Sequence, residues 1–89
     1  MDDLTRIPIE YLNRIADHCP RAMSTYLLCW READDDLDVM LSKRFILFDY
    51  YNSFTRVLND IKALAREGLL SFTVQDDAIF ATLANYGNG

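Results

Sequence analysis

Glycine and proline are scarce in this 89-residue chain: Gly68, Gly87 and Gly89, and Pro8 and Pro20. So few chain breakers argue for long regular elements, mostly helices, and against a loop-rich β-sandwich. Cysteine is limited to Cys19 and Cys29, with neither C-x-x-C nor zinc-finger spacing. They read as two buried free thiols in a reducing cytosol. Histidine occurs once, at His18 beside Cys19, too few ligands for a metal and no nucleophile–base pair by adjacency. His18 is expected to meet the last carbonyls of its own helix. There is no G-x-S-x-G, no glycine-rich phosphate loop and no H-E-x-x-H, so the chain is not read as an enzyme and no cofactor is expected. No apolar run approaches the roughly 18 residues that span a bilayer. Residues 1–20 hold Asp2, Asp3, Glu10 and Asp17 without an apolar core, so neither a membrane nor a secretory signal is expected, and the location read is cytoplasmic.

Apolar residues make up 51% of the chain and aromatics 12%, the composition of a folded protein. One domain is expected over residues 1–84, with 85–89 a disordered tail and 1–7 a frayed lead-in. A chain this short buries only about 60–65% of its unfolded surface. Tyr26, Trp30 and the run Phe45-Ile46-Leu47-Phe48 with Tyr50 and Tyr51 exceed what so small a core needs, so a homodimer is expected.

Pro8 suits a first helical turn, and Ile9, Leu12, Ile15 and Ala16 follow at helical spacing. Pro20 ends that helix and opens another, with Ala22, Met23, Tyr26, Leu27 and Trp30 as its apolar face. Asp34, Asp35, Asp36 and Asp38 form an acidic break, read as a solvated loop that caps the next helix. It lacks the glycine and distal glutamate of an EF-hand loop. Val39, Leu41, Phe45 and Phe48 then fit a helix, although 45–48 alone would suit a short buried strand. The aromatic run is read as core in preference to a platform for single-stranded bases. Asn52 or Ser53 can cap a helix over 53–67, whose stripe is Phe54, Val57, Leu58, Ile61 and Leu64 and whose C′ residue is Gly68. Leu70, Phe72 and Val74 alternate, as do Ile79, Ala81 and Leu83, with Gln75-Asp76-Asp77 between: a β-hairpin.

The expected fold is therefore mostly α, three to four helices with a C-terminal β-hairpin. The capped helix from Ser53 with Val57, Ile61 and Leu64, followed by Gly68-Leu69-Leu70 turning into a strand, resembles the recognition helix and wing of winged helix-turn-helix proteins. The resemblance spans roughly residues 38–84. It implies a winged-helix domain that lays helix 53–67 in a DNA major groove, as a homodimeric regulator of transcription or replication.

Opposite the apolar stripe, Asn52, Arg56, Asn59, Ala63 and Arg66 fall in one row. Arg and Asn pair with guanine and adenine edges, so Arg56 and Asn59 are the candidate base readers. Lys43, Arg44, Thr55, Lys62 and Arg66 are candidates for the phosphate backbone, and Asn52 and Ser53 at the start of the helix are further candidate DNA-binding residues. Residues 1–38 carry a net charge of −5, residues 39–75 a net +2 and residues 76–89 a net −2, so the positive segment coincides with the resemblance. The hairpin tip is acidic, so the helix would supply most contacts. A polar row also suits any solvated helix face. The alternative is an acidic winged-helix module that docks another protein and has no affinity for DNA.

Overall fold

The computed structural model describes residues 7–84. Helix α1 spans Ile9–His18, a 3-10 turn Pro20–Ala22 follows, and α2 spans Met23–Glu32. Strand β1 (Asp38–Ser42) leads into the short α3 (Lys43–Phe48), then the long α4 (Phe54–Arg66), β2 (Leu70–Gln75) and β3 (Ala78–Leu83). The three strands form one antiparallel sheet in the order β1-β3-β2. Among the described residues there are four helices and three strands, a mixed α/β fold in place of the mostly α one expected: the hairpin is present, and a third strand joins it.

The extra strand overturns the helix expected from Val39 through Leu41. Val39 and Leu41 are buried and pair with Ala81 and Ile79, while Asp38 and Met40 face solvent. Met40, an apolar residue on the solvent face, hides the two-residue period. The acidic run does not cap a helix either. Asp34 Oδ1 accepts the N–H groups of Asp36 and Asp38, each at 2.9 Å, and Leu37 turns through φ +65° to start β1. The cap of α3 is Ser42, whose Oγ accepts the Phe45 N–H at 3.0 Å, so strand passes to helix with no loop. Residues 45–48 are helical, as favoured.

α4 follows its sequence pattern. Ser53 Oγ accepts the Arg56 N–H at 3.1 Å. Val57, Ile61 and Leu64 are fully buried, with Phe54 and Leu58 half-buried beside them. The helix ends in a Schellman motif, with Gly68 N–H on the Ala65 carbonyl, Leu69 N–H on the Leu64 carbonyl and Gly68 at φ +76°. β2 and β3 are joined by Asp76 and Asp77, both with positive φ (50° and 61°), a two-residue turn of the kind that suits strand twist.

α2 is the central helix, with Thr25, Tyr26, Leu28, Cys29 and Trp30 all buried. Tyr26 and Trp30, read as surplus from the sequence, are core residues whose rings meet edge to face at 6.4 Å. In α1 the buried residues are Tyr11 and Ile15, whereas Ile9 and Ala16 are exposed, because the helix rotates to place Tyr11 inward. Ile7, the last residue of the expected lead-in, is buried and belongs to the core, and the rest of that lead-in, 1–6, lies outside the described residues. Cys29 is buried but Cys19 only partly so. The tail expected over 85–89 lies outside the described residues.

Candidate nucleic-acid interface

Thr55, Arg56, Asn59, Lys62 and Arg66 are all exposed on α4, and Ala63 among them is half-buried. The exposed row is thus turned slightly from the expected one, toward Thr55 and Lys62. Asn52 stands just before the helix, half-buried, its Oδ1 accepting the Ser53 N–H at 2.9 Å. Ser53 is exposed, but its hydroxyl oxygen is committed to the cap. Among the described residues, no ion pair links Arg56, Lys62 or Arg66 to a carboxylate.

Asp60 on α4 and Glu67 just past its end could spoil this face, and both are engaged elsewhere. The Thr25 hydroxyl of α2, fully buried, donates to Asp60 Oδ2 at 2.6 Å. Glu67 Oε1 lies 2.8 Å from His18 Nδ1, and the Glu67 carbonyl accepts from Arg14 Nη1 at 2.8 Å. His18 therefore holds the end of α4, not the carbonyls of its own helix. The N-terminal helices draw these two acids to the flank of α4, leaving cations, a hydroxyl and an amide outermost.

Lys43 and Arg44 occupy a different place, at the start of α3. Together with Leu47, Phe48, Asp76 and Asp77 they line an open groove of about 420 Å³. The backbone N–H of Lys43 donates to the Asp77 carbonyl at 2.8 Å, fastening the hairpin turn to α3. The Arg44 guanidinium lies 5.6 Å from the centre of the Phe48 ring. A second concavity of about 560 Å³ is lined by Leu47, Tyr51, Asn52, Ser53 and Arg56. Leu47 borders both, so an apolar ridge stands between the α3 cations and the α4 face.

That ridge corrects the core reading of the aromatic run. Phe45 and Tyr50 are half-buried and Ile46 is buried, but Leu47 (53%), Phe48 (59%) and Tyr51 (86%) are exposed. α3 is too short to bury two faces: Ile46 points inward, so Lys43, Arg44, Leu47 and Phe48 point out. Tyr51 sits at φ +55°, turning the chain from α3 to α4.

The sequence reading missed Thr25 and its bond to Asp60. The signal was present, because Thr25 interrupts the apolar stripe formed by Ala22, Tyr26, Cys29 and Trp30, and a buried hydroxyl needs a partner. Elsewhere, burial raises the Tyr26 phenol to about 12 and the Cys29 thiol to about 12, so both are neutral near pH 7. Cys19 is also raised, first by burial and then by the Glu67 charge. The carboxylates of Asp34, Asp36 and Asp38 gather within 4.8 Å of one another, all exposed. No helix among the described residues is long and apolar enough to cross a membrane.

No family model matches this chain, and neither a curated protein nor a solved structure does.

Proposed function

We propose that the chain binds double-stranded DNA, with the exposed side of α4 in a major groove, in the manner of winged helix-turn-helix proteins. The observation that carries this reading is the sorting of charge on α4. Among the described residues no carboxylate forms an ion pair with its cations, while Asp60 and, just past the helix, Glu67 are held by Thr25 and His18. The order of elements supports it: two helices joined by a short turn, then an antiparallel hairpin beside a third strand. In this reading Arg56 and Asn59 contact base edges. Thr55, Lys62 and Arg66 contact phosphates, with Ser53 and Asn52 at the start of the helix and Lys43 and Arg44 at the start of α3. The tip, Asp76-Asp77, stays off the backbone. A regulator of transcription or replication, acting as a homodimer, fits a module this small.

Fluorescence anisotropy with duplex DNA tests the proposal. Binding is expected at low salt and weakens as salt rises, with a log–log slope of about −0.9 per phosphate neutralised. Absence of binding at low salt overturns it.

One observation favours a second reading, a protein-docking module without DNA affinity: the exposed Leu47, Phe48 and Tyr51. A partner recovered on this chain after nuclease treatment, and lost with Phe48→Ser, would support docking over DNA.

A further inference from the structure

The two edges of the sheet are finished differently. At the β1 edge, the register with β3 turns the main-chain groups of Asp38 and Met40 outward. The acidic loop covers the first of these: Asp38 N–H donates to Asp34 Oδ1 at 2.9 Å, and the Asp38 carbonyl accepts the Asp34 N–H at 3.0 Å. The strand then ends at Ser42, where α3 begins. This edge is plugged at one end and closed by a helix at the other.

Among the described residues, the β2 edge has no such device. Ala84 N–H donates to the Leu69 carbonyl, so Ser71, Thr73 and Gln75 bond toward β3, while the main-chain groups of Phe72 and Val74 point away from it. No hydrogen bond among the described residues engages those outward groups. Leu70–Gln75 contains no charged residue and no proline, the features that usually keep an edge strand from pairing. Val74 is 44% exposed and Phe72 partly so, although both lie on the face where Leu70 is buried.

The order of polarity along this strand says what would pair with it. Leu70-Ser71-Phe72-Thr73-Val74 reads apolar, hydroxyl, aromatic, hydroxyl, apolar in both directions. We infer that β2 pairs antiparallel with β2 of a second copy about a two-fold axis through Phe72, joining two sheets into one of six strands. In that register Phe72 lies opposite Phe72 of the second copy, and Leu70 lies opposite its Val74. Ser71 lies opposite its Thr73 on the other face. The outward N–H and carbonyl groups of Phe72 meet their own symmetry mates, and Val74 gains the cover it lacks. Such self-complementarity is what a two-fold contact requires. A partner of different sequence would not need the palindrome. The inference names the dimer surface that the proposed function leaves open, and does not depend on what α4 binds.

Sedimentation equilibrium of the full chain, without DNA, from micromolar to millimolar concentration tests it. The expected result is a species of about twice 10.3 kDa. Ser71→Lys/Thr73→Lys places like charges opposite each other across the axis, and dissociates the dimer by roughly tenfold or more. Ser71→Lys/Thr73→Glu places opposite charges there and restores it. Both variants change exposed positions, and equal melting temperatures at a concentration where each is monomeric verify that they fold. A parent that stays monomeric at millimolar concentration overturns the inference. So does a dimer that both variants form equally well. Either result leaves the DNA titration to stand or fall by itself.

Discussion

Thr25 and Asp60 give the sharpest test, because the two ends of their hydrogen bond should respond oppositely in binding. Thr25→Val replaces a fully buried hydroxyl by a methyl of nearly equal size, so little packing changes. What is lost is a 2.6 Å bond to a carboxylate. Bonds to charged groups contribute about 1.5–3 kcal/mol when shielded. Asp60 is partly accessible, and water can replace one side of the bond, so the expected loss is ~1–2 kcal/mol. In a domain of this size 1 kcal/mol lowers the melting temperature by about 4–8 °C. Released from Thr25, the Asp60 carboxylate can swing toward the outer side of α4, and DNA affinity falls with stability. Asp60→Asn keeps an acceptor for Thr25 and removes the charge. It should lower stability by no more than ~1 kcal/mol yet tighten DNA binding at low salt. Thermal melts and anisotropy titrations on the same samples read both effects. A Thr25→Val variant that melts with the parent would refute the bond. An Asp60→Asn variant that binds DNA more weakly would refute the account of the α4 face.

Other outcomes follow from the same geometry. Arg56→Ala should weaken a specific duplex by ~1–3 kcal/mol, whereas Lys62→Ala should weaken all duplexes alike and reduce the salt slope by about 1, both read by anisotropy. Gly68→Ala should lower stability by ~1–2 kcal/mol in chemical denaturation, because its φ of +76° disfavours a Cβ even though nothing lies within 4 Å of one. The pKa of the Tyr26 phenol rises from 10.0 to about 12 and that of the Cys29 thiol from 9.0 to about 12 on burial. Raised acids of this kind stabilise the neutral fold fully below the unfolded pKa. Denaturation midpoints should therefore hold up to about pH 9 and decline as pH rises toward 12. A thiol reagent at neutral pH should label Cys19 in the native protein and Cys29 only on unfolding, countable by mass spectrometry.

The elements most legible in the sequence are those whose signals are local. The Ser53 cap, the Val57-Ile61-Leu64 stripe and Gly68 all act within a few residues, and α4 lies where they place it. The hairpin is legible because Leu70, Phe72, Ile79, Ala81 and Leu83 alternate on both sides of a short polar turn. β1 was hidden because its stability is non-local. Val39 and Leu41 form a strand only because Ala81 and Ile79, some forty residues on, pair with them, and Met40 blurs the alternation. The exposed ridge of Leu47, Phe48 and Tyr51 was hidden for a related reason. Composition shows that a residue is apolar, but not that a six-residue helix has room to bury only Ile46. At the candidate interface, the row of cations and amides could be read from helical spacing. The fates of Asp60 and Glu67 could not, since they depend on Thr25 and His18, far away in the chain.

The link between the Lys43 amide and the Asp77 carbonyl runs from main chain to main chain. It does not require any particular side chain at either end, provided residue 43 is not proline and residues 76 and 77 tolerate a left-handed backbone. The hairpin tip can therefore be recoloured, from two aspartates to asparagine, glycine or a cation-bearing pair of suitable conformation, without being unfastened from α3. Shape and charge at this corner are separately adjustable, so a graft that changes what the tip repels need not rebuild the domain beneath it.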